Sequence, residues 1–254
     1  MYPITFKRDV SEDYFLLGIE AKHLTNFQPG QYAILQTTEL SERIPLSILR
    51  VENDRVEFLV QKRGKSTLEL YHSTEIFYVA GPLGKPFPLG VYGKVYMYGI
   101  DWGPASLYSV AKALKSLDNK VYLFVSGKYP PLEIVEDAFD KVSLSFEMPK
   151  DADLVVVAGK ASELKDFVES LKGYPCIALS TAPILCGVGL CLSCRVYSEG
   201  KERLSCTDGP WFEASSLDWQ SLTLRENLYV EEESLALEEY LKELRRRALR
   251  EATS

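Results

Sequence analysis

The sequence predicts a mixed β and α/β protein built from three consecutive units, on three observations. Residues 1–91 carry short alternating or apolar runs broken by turn residues. Residues 92–181 alternate apolar strand patterns with helical ones. Residues 182–254 gather four of the chain's five cysteines and end in a charged helical pattern. The expected layout is therefore an N-terminal antiparallel β-barrel, a central α/β domain, and a C-terminal cysteine-bearing subdomain with a terminal helix.

Length and composition bound what the chain can do. Its 254 residues suffice to bury a large core, and 46 % hydrophobic with 26 % charged residues is ordinary globular composition. A formal charge of −7 opposes a general affinity for nucleic acid or anionic membrane. No run reaches the roughly 18 apolar residues of a spanning helix. The start, MYPITFKRDVSEDYF, lacks the basic-then-apolar order of a secretory signal. These features predict a cytoplasmic protein, a setting that disfavours structural disulfides.

In the first unit, YFLLGIE, QYAILQT, PLSILRV, RVEFLVQK and EIFYVAG read as strands. Pro29-Gly30, Asn53-Asp54, Gly64 and Gly81-Pro82 break them. Short strands without a long helical pattern predict a small antiparallel barrel. In the second unit KVYMYGI, KVYLFVSG, ADLVVVAG and YPCIALS are strand patterns. SLYSVAKALKSL places Leu107, Val110, Ala111 and Leu114 on one helical face. SELKDFVESLKG does the same with Leu164, Phe167, Val168 and Leu171, and Gly173 closes it. Such alternation implies βαβ units around a parallel sheet. Cys176 lies in an apolar strand pattern and reads as core.

The third unit holds CGVGLCLSCRVYSEGKERLSCTDGPWF, with spacing C-x4-C-x2-C-x11-C. Three cysteines in a tight loop and a distant fourth is the ligand spacing of plant-type [2Fe–2S] proteins. Four thiolates must wrap two irons, and Gly187 and Gly189 allow the loop to turn inward. RVYSEGKERLS reads as a hairpin turning at Glu199-Gly200, which returns Cys206 to the other three. Structural zinc and a disulfide or core role rank behind, because zinc sites generally use paired C-x2-C units. The segment EEESLALEEYLKELRRRALREA runs from acidic to basic, as suits the helix dipole. Leu237, Tyr240, Leu241, Leu244 and Ala248 could line one side, for packing on the chain itself or on a partner. His23 and His72 are isolated and read as surface or capping residues. Trp102 and Trp211 read as packing residues, Trp211 also as a water shield beside the cysteines.

With the cysteine motif placed after a barrel and an α/β unit, the chain resembles the ferredoxin–NADP⁺ reductase superfamily. Within it, CGVGLCLSC…CTDGPWF is similar to the electron-transfer subunit of type B dihydroorotate dehydrogenase, which carries Asp-Gly-Pro-x-Phe after its last cluster ligand. Those residues are Asp208, Gly209, Pro210 and Phe212 here. The resemblance spans residues 1 to about 215 and implies a [2Fe–2S] cluster on Cys186, Cys191, Cys194 and Cys206. It implies FAD in the barrel, held by Ile44, Pro45, Leu46 and Ser47, by Leu59, Val60 and Gln61, and by Gly64, Ser66 and Thr67. In this reading Ser66 and Thr67 offer N–H and hydroxyl donors to the FAD diphosphate, with Arg63 and Lys65 adding charge. Ile44 stands where relatives carry an arginine facing that diphosphate, and strand alternation argues against Arg43 replacing it. GPLGKPF, residues 81–87, is similar to the turn closing the family barrel, with Pro86 in place of a glycine.

The resemblance further implies an FMN-containing dihydroorotate dehydrogenase catalytic subunit as partner in a hetero-oligomer. In pyrimidine (UMP) biosynthesis, electrons would pass between that partner and NAD through the cluster and FAD. No residue of this chain is expected to act as acid or base on orotate. NAD is the cofactor the sequence supports least. Where relatives have a glycine-rich turn, YGIDWGPA places Asp101 and Trp102, and Ala158-Gly159-Lys160 replaces a Cys-Gly-Pro signature. Two other readings stand beside this one. One is a related flavin/iron–sulfur reductase subunit using ferredoxin, NADP or another acceptor; the other is a non-enzymatic assembly protein that keeps a metal for stability.

Overall fold

The computed structural model describes residues 1–252 and shows three sets of elements in the expected order. The N-terminal set comprises β1 (Tyr2–Asp9), β2 (Tyr14–Ile19), β3 (Tyr32–Gln36), β4 (Arg43–Ser47), β5 (Arg50–Glu52), β6 (Arg55–Gln61), α1 (Lys65–His72), β7 (Glu75–Ile76) and β8 (Tyr78–Leu83). They form two antiparallel sheets, in the orders β5-β6-β2-β1-β7 and β4-β3-β8. One apolar core joins the sheets, with Phe15, Leu17, Phe58 and Val60 from the first and Ala33 and Leu35 from the second. The predicted run PLSILRV is divided between β4 and β5, because Ile48 and Leu49 turn inward and are fully buried. EIFYVAG is likewise divided between β7 and β8, which join different sheets. Strand β1 has no counterpart among the expected strands. Its YPITFKRD mixes apolar and charged residues because it is only partly covered.

The central set is β9 (Lys94–Ile100), α2 (Gly103–Ser116), β10 (Lys120–Ser126), β11 (Lys141–Ser143), β12 (Leu154–Ala158), α3 (Ala161–Ser170) and β13 (Cys176–Leu179). The strands are parallel, in the order β11-β10-β9-β12-β13. Their near-continuous burial explains the unbroken apolar runs KVYMYGI and LVVVA. Helix α2 buries Leu107, Val110, Ala111 and Leu114, the face read from its spacing. Gly173 follows α3 in the left-handed region, with φ +99°.

The last set is β14 (Arg195–Ser198), β15 (Lys201–Leu204), β16 (Trp211–Glu213), α4 (Trp219–Glu226) and α5 (Val230–Ala252). β14 and β15 form the hairpin expected at Glu199-Gly200, both with positive φ. β16 pairs antiparallel with β13 and so extends the central sheet. The residues just after the fourth cysteine are thereby fastened to the α/β unit. Asp218 caps α4 by accepting from the Ser221 N–H at 2.9 Å. Helix α5 packs against α1, with Leu237, Tyr240 and Leu244 half-buried, whereas Leu241 and Ala248 are exposed. Among the described residues, no helix is long and apolar enough to cross a membrane.

Candidate electron-transfer site

The four cysteines lie where the hairpin, the barrel sheets and β16 meet. Gly187, Gly189 and Leu192 all adopt positive φ, so the loop from Cys186 to Cys194 curls with its amides inward. A side chain at Gly187 would force Leu83 and Ile34 to shift. A Cβ there would stand 2.6 Å from Leu83 Cδ1 and 2.8 Å from Ile34 Cδ1, which seats the loop directly on β8 and β3. Cys194 and Cys206 are buried, Cys186 is half-buried and Cys191 is exposed. The N–H of Cys191 donates to Cys186 Sγ at 3.5 Å. Burial alone would push the Cys186 thiol up, but N–H groups of Cys191, Val188 and Leu190 aimed at its sulfur outweigh this and bring it down to about 6. Burial, with the Cys194 thiol beside it, raises Cys206.

The Cys191 N–H bonds Cys186 Sγ, and Cys194 and Cys206 lie in one buried cluster. A two-iron cluster takes four thiolates, two to each iron, with amides hydrogen-bonding the sulfurs, and the four cysteines with the inward-turned loop amides are a donor set of that kind. Cys176 is apart from this group, buried in β13, with its thiol pushed up to about 12 by burial, as a core residue should be.

Asp208 to Phe212 form the joint that fixes the loop. Asp208 accepts from the Leu204 N–H at 2.8 Å. The Gly209 carbonyl accepts from the Lys85 N–H at 2.7 Å, and the Pro210 carbonyl from the Ser180 N–H at 2.8 Å. Trp211 Nε1 donates to the Gly30 carbonyl at 2.8 Å, and its ring meets Phe87 edge-on. Lys85 and Phe87 belong to GPLGKPF, so the barrel-closing turn and the cluster tail hold each other.

The three segments expected to hold flavin are not disposed as single letters suggested. On β4 the side chains of Ile44 and Leu46 pack on the barrel core, while Arg43 and Pro45 are exposed and Ser47 shares their side. Alternation therefore places Arg43 with Pro45 and Ser47, so the argument against Arg43 is reversed. Arg43 lies over the Tyr78 ring at 5.0 Å, and Ser47 donates to Ser106 Oγ at 2.8 Å, at the start of α2. Ile44 and Leu46 have only backbone to offer a ligand. Leu59 and Val60 are buried in two different cores. Gln61 Oε1, next along the strand, is buried without a hydrogen-bond partner.

At α1 the hydroxyls are already engaged. Thr67 Oγ1 accepts from the Arg63 and Gly64 N–H groups at 3.0 and 3.1 Å, and Ser66 donates to Glu42 at 2.6 Å. The donors left for a diphosphate are the N–H groups of the first helical turn. The exposed side of β4, the end of β6 and the start of α1 thus offer backbone groups together with the guanidinium groups of Arg43 and Arg63.

The nicotinamide turn does not fit a dinucleotide. Asp101 has φ +50°, and its carboxylate accepts from the Lys128 N–H at 2.7 Å. Any Cβ on Gly127 would stand 2.3 Å from that carboxylate. At the start of α3, Glu226 from α4 accepts from the Ala161 and Ser162 N–H groups at 2.8 and 2.9 Å, and from Thr181 Oγ1 at 2.7 Å. Glu163 is raised by burial first, then by the neighbouring Asp101 and Glu226 charges, Lys160 and Arg63 opposing. The crevice at the ends of β9 and β12 thus carries carboxylates of its own beside these two cations, and Glu226 already takes the α3 amides a diphosphate would need.

Comparison with known proteins gives a consistent pattern. Residues 182–218 match the family model described as the iron–sulfur cluster binding domain of dihydroorotate dehydrogenase B. A Thermotoga maritima protein, named as a homolog of the dihydroorotate dehydrogenase B (NAD(+)) electron transfer subunit, is 30% identical over 94% of this chain and 95% of its own length. The Clostridium acetobutylicum electron transfer subunit is 26% identical over 82% of this chain and 92% of its own. A chain from the structure of the NADH-dependent reduced ferredoxin–NADP oxidoreductase superposes with TM-score 0.85 at 27% identity, covering 95% of this chain and 98% of that one. Phthalate dioxygenase reductase, at 15% identity and TM-score 0.55, shares the fold.

Proposed function

Since the chain belongs to the family of the dihydroorotate dehydrogenase B electron-transfer subunit, we propose that it carries electrons between a catalytic dihydroorotate dehydrogenase subunit and an external acceptor. The chain is an oxidoreductase component, and its cofactors, a [2Fe–2S] cluster and FAD, supply the conversion between single electrons and electron pairs. Cys186, Cys191, Cys194 and Cys206 are the proposed iron ligands. Arg43, Pro45, Ser47, Gln61, Gly64, Ser66 and Thr67 border the proposed flavin site. The partner is proposed to be FMN-containing, to form a hetero-oligomer with this chain in the cytoplasm, and to perform all the acid–base chemistry on orotate.

The observation that carries this reading is the gathering of Cys186, Cys191 and Cys194 in a loop seated on β3 and β8, with Cys206 returned by the hairpin to the same buried cluster as Cys194. The exposed edge of that loop supports a partner contact there. Cys191 is open, and Val188 and Leu190 are 55 % and 82 % exposed. These residues offer an apolar rim through which a neighbouring subunit can exclude water from the cluster.

One observation favours a second reading for the acceptor. Asp101 and Glu226 occupy the amides of the nicotinamide crevice, which favours a carrier other than NAD(H), such as a ferredoxin-type protein. The test mixes the anaerobic, cofactor-loaded protein with NADH and then with dithionite. Bleaching of the flavin by dithionite alone supports the second acceptor. Bleaching by NADH restores NAD as the acceptor. Reduction by dihydroorotate only when the catalytic subunit is present supports the subunit assignment itself.

A further inference from the structure

Tyr32 opens β3 and is 4 % exposed. Its backbone pairs with Ser47 on β4 and with Leu83 on β8, the strand that carries the cluster loop. Its ring is clamped, since a Cβ on Gly84 would stand 2.9 Å from Tyr32 Cε1. The hydroxyl is buried and has no hydrogen-bond partner within the protein. Tyr32 belongs to the same buried cluster as Cys194 and Cys206, two of the four proposed ligands.

A buried hydroxyl without a partner is costly, and native structures rarely keep one unless a ligand satisfies it. Other buried aromatic side chains of this protein have their polar atoms paired. Tyr14 donates to the Lys128 carbonyl at 2.7 Å, and Trp219 Nε1 to the Ala214 carbonyl at 2.8 Å. Tyr32 differs in being unpaired while sharing its cluster with Cys194 and Cys206.

We propose that the Tyr32 hydroxyl donates a hydrogen bond to a sulfur of the cluster held by Cys186, Cys191, Cys194 and Cys206, and so raises the cluster's reduction potential. The inference rests on the cluster assignment above. The acquired electron resides on the cluster, the tyrosine keeps its proton, and no bond to Tyr32 forms or breaks. A donor to sulfur stabilises the reduced, more negative state over the oxidised one, which sets the sign. Tyr32 is a positioning and tuning residue.

The test is a redox titration of the cluster in the whole, cofactor-loaded protein, followed by electron paramagnetic resonance, with iron content measured first. In Tyr32→Phe, with iron content unchanged, the reduced-to-oxidised ratio at a fixed potential should fall about three- to tenfold, as expected for losing one hydrogen bond. A tenfold fall corresponds to about 59 mV for one electron. Replacing tyrosine by 3-fluorotyrosine, a more acidic phenol, leaves the packing almost unchanged and should raise the ratio. In Tyr32→Phe the same fluorination should leave it unmoved. A purely structural tyrosine would give neither the opposite signs nor their loss. An unchanged ratio in loaded Tyr32→Phe, or in the fluorinated wild type, overturns the proposal. Absence of iron from the wild type overturns the cluster assignment along with it.

Discussion

Substituting Gly187 by alanine tests how the cluster loop is held. Two costs are visible. The residue sits at φ +75°, where an L side chain costs about 1–2 kcal/mol. Its new methyl would also stand 2.6 Å from Leu83 Cδ1 and 2.8 Å from Ile34 Cδ1, and overpacking of this kind costs about 1–3 kcal/mol. Ile34 is fully buried in the ladder between β4 and β8, so it cannot simply swing away. Gly200 supplies the control, with φ +71° in the β14–β15 turn and no atom within 4 Å of the place an added methyl would take. Gly200→Ala should therefore cost only the backbone share, and Gly187→Ala about 2–5 kcal/mol in total. For a chain of this size the control loses about 2–8 °C in thermal midpoint and Gly187→Ala visibly more. The assay is thermal unfolding of the anaerobic, loaded protein, together with iron content. Equal shifts for the two variants would refute the claim that the loop is seated on Ile34 and Leu83.

Other substitutions follow the same logic. Glu226→Ala removes an acceptor from two α3 amides and from Thr181; chemical denaturation should show a loss of about 2 kcal/mol, with Glu226→Gln milder. Glu57, only 1% exposed, takes Arg50 at 2.9 Å and Arg55 at 2.6 Å. Glu57→Ala should destabilise by about 3 kcal/mol in urea, since a buried pair is broken on one side. Trp211→Phe deletes the bond to the Gly30 carbonyl and opens space beside Phe87; a loss of about 2–3 kcal/mol and faster bleaching of the cluster in air are expected.

What the sequence revealed depended on how local the signal was. The cysteine spacing, the helices α2 and α3 and the β14–β15 turn are set by residues within a few positions of one another, and all were legible. β16 was not, because WFE is three residues long and becomes a strand only through pairing with β13, over thirty residues earlier. The side-chain directions on β4 follow alternation, but which face is inside depends on the opposing sheet. Ile44 and Leu46 turned inward and left Arg43 on the exposed side. Thr67 looked like a phosphate ligand from its letters, yet its hydroxyl is used to close the turn at Gly64. Tyr32 sits in QYAILQT like any core aromatic, and only the fold brings it into one cluster with Cys194 and Cys206. Asp101 was visible as a misfit in sequence. Glu226 was not, since nothing in WQSLTLRE announces that its last residue reaches α3.

The central claim is that these four cysteines hold a two-iron cluster which passes single electrons through this chain. Electron paramagnetic resonance of the anaerobically purified, dithionite-reduced protein tests it most directly. The account predicts the signal of a reduced [2Fe–2S] centre at close to one spin per chain, with about two irons, lost when Cys194 or Cys206 is replaced by alanine. A silent spectrum from a protein that carries a single zinc would contradict it.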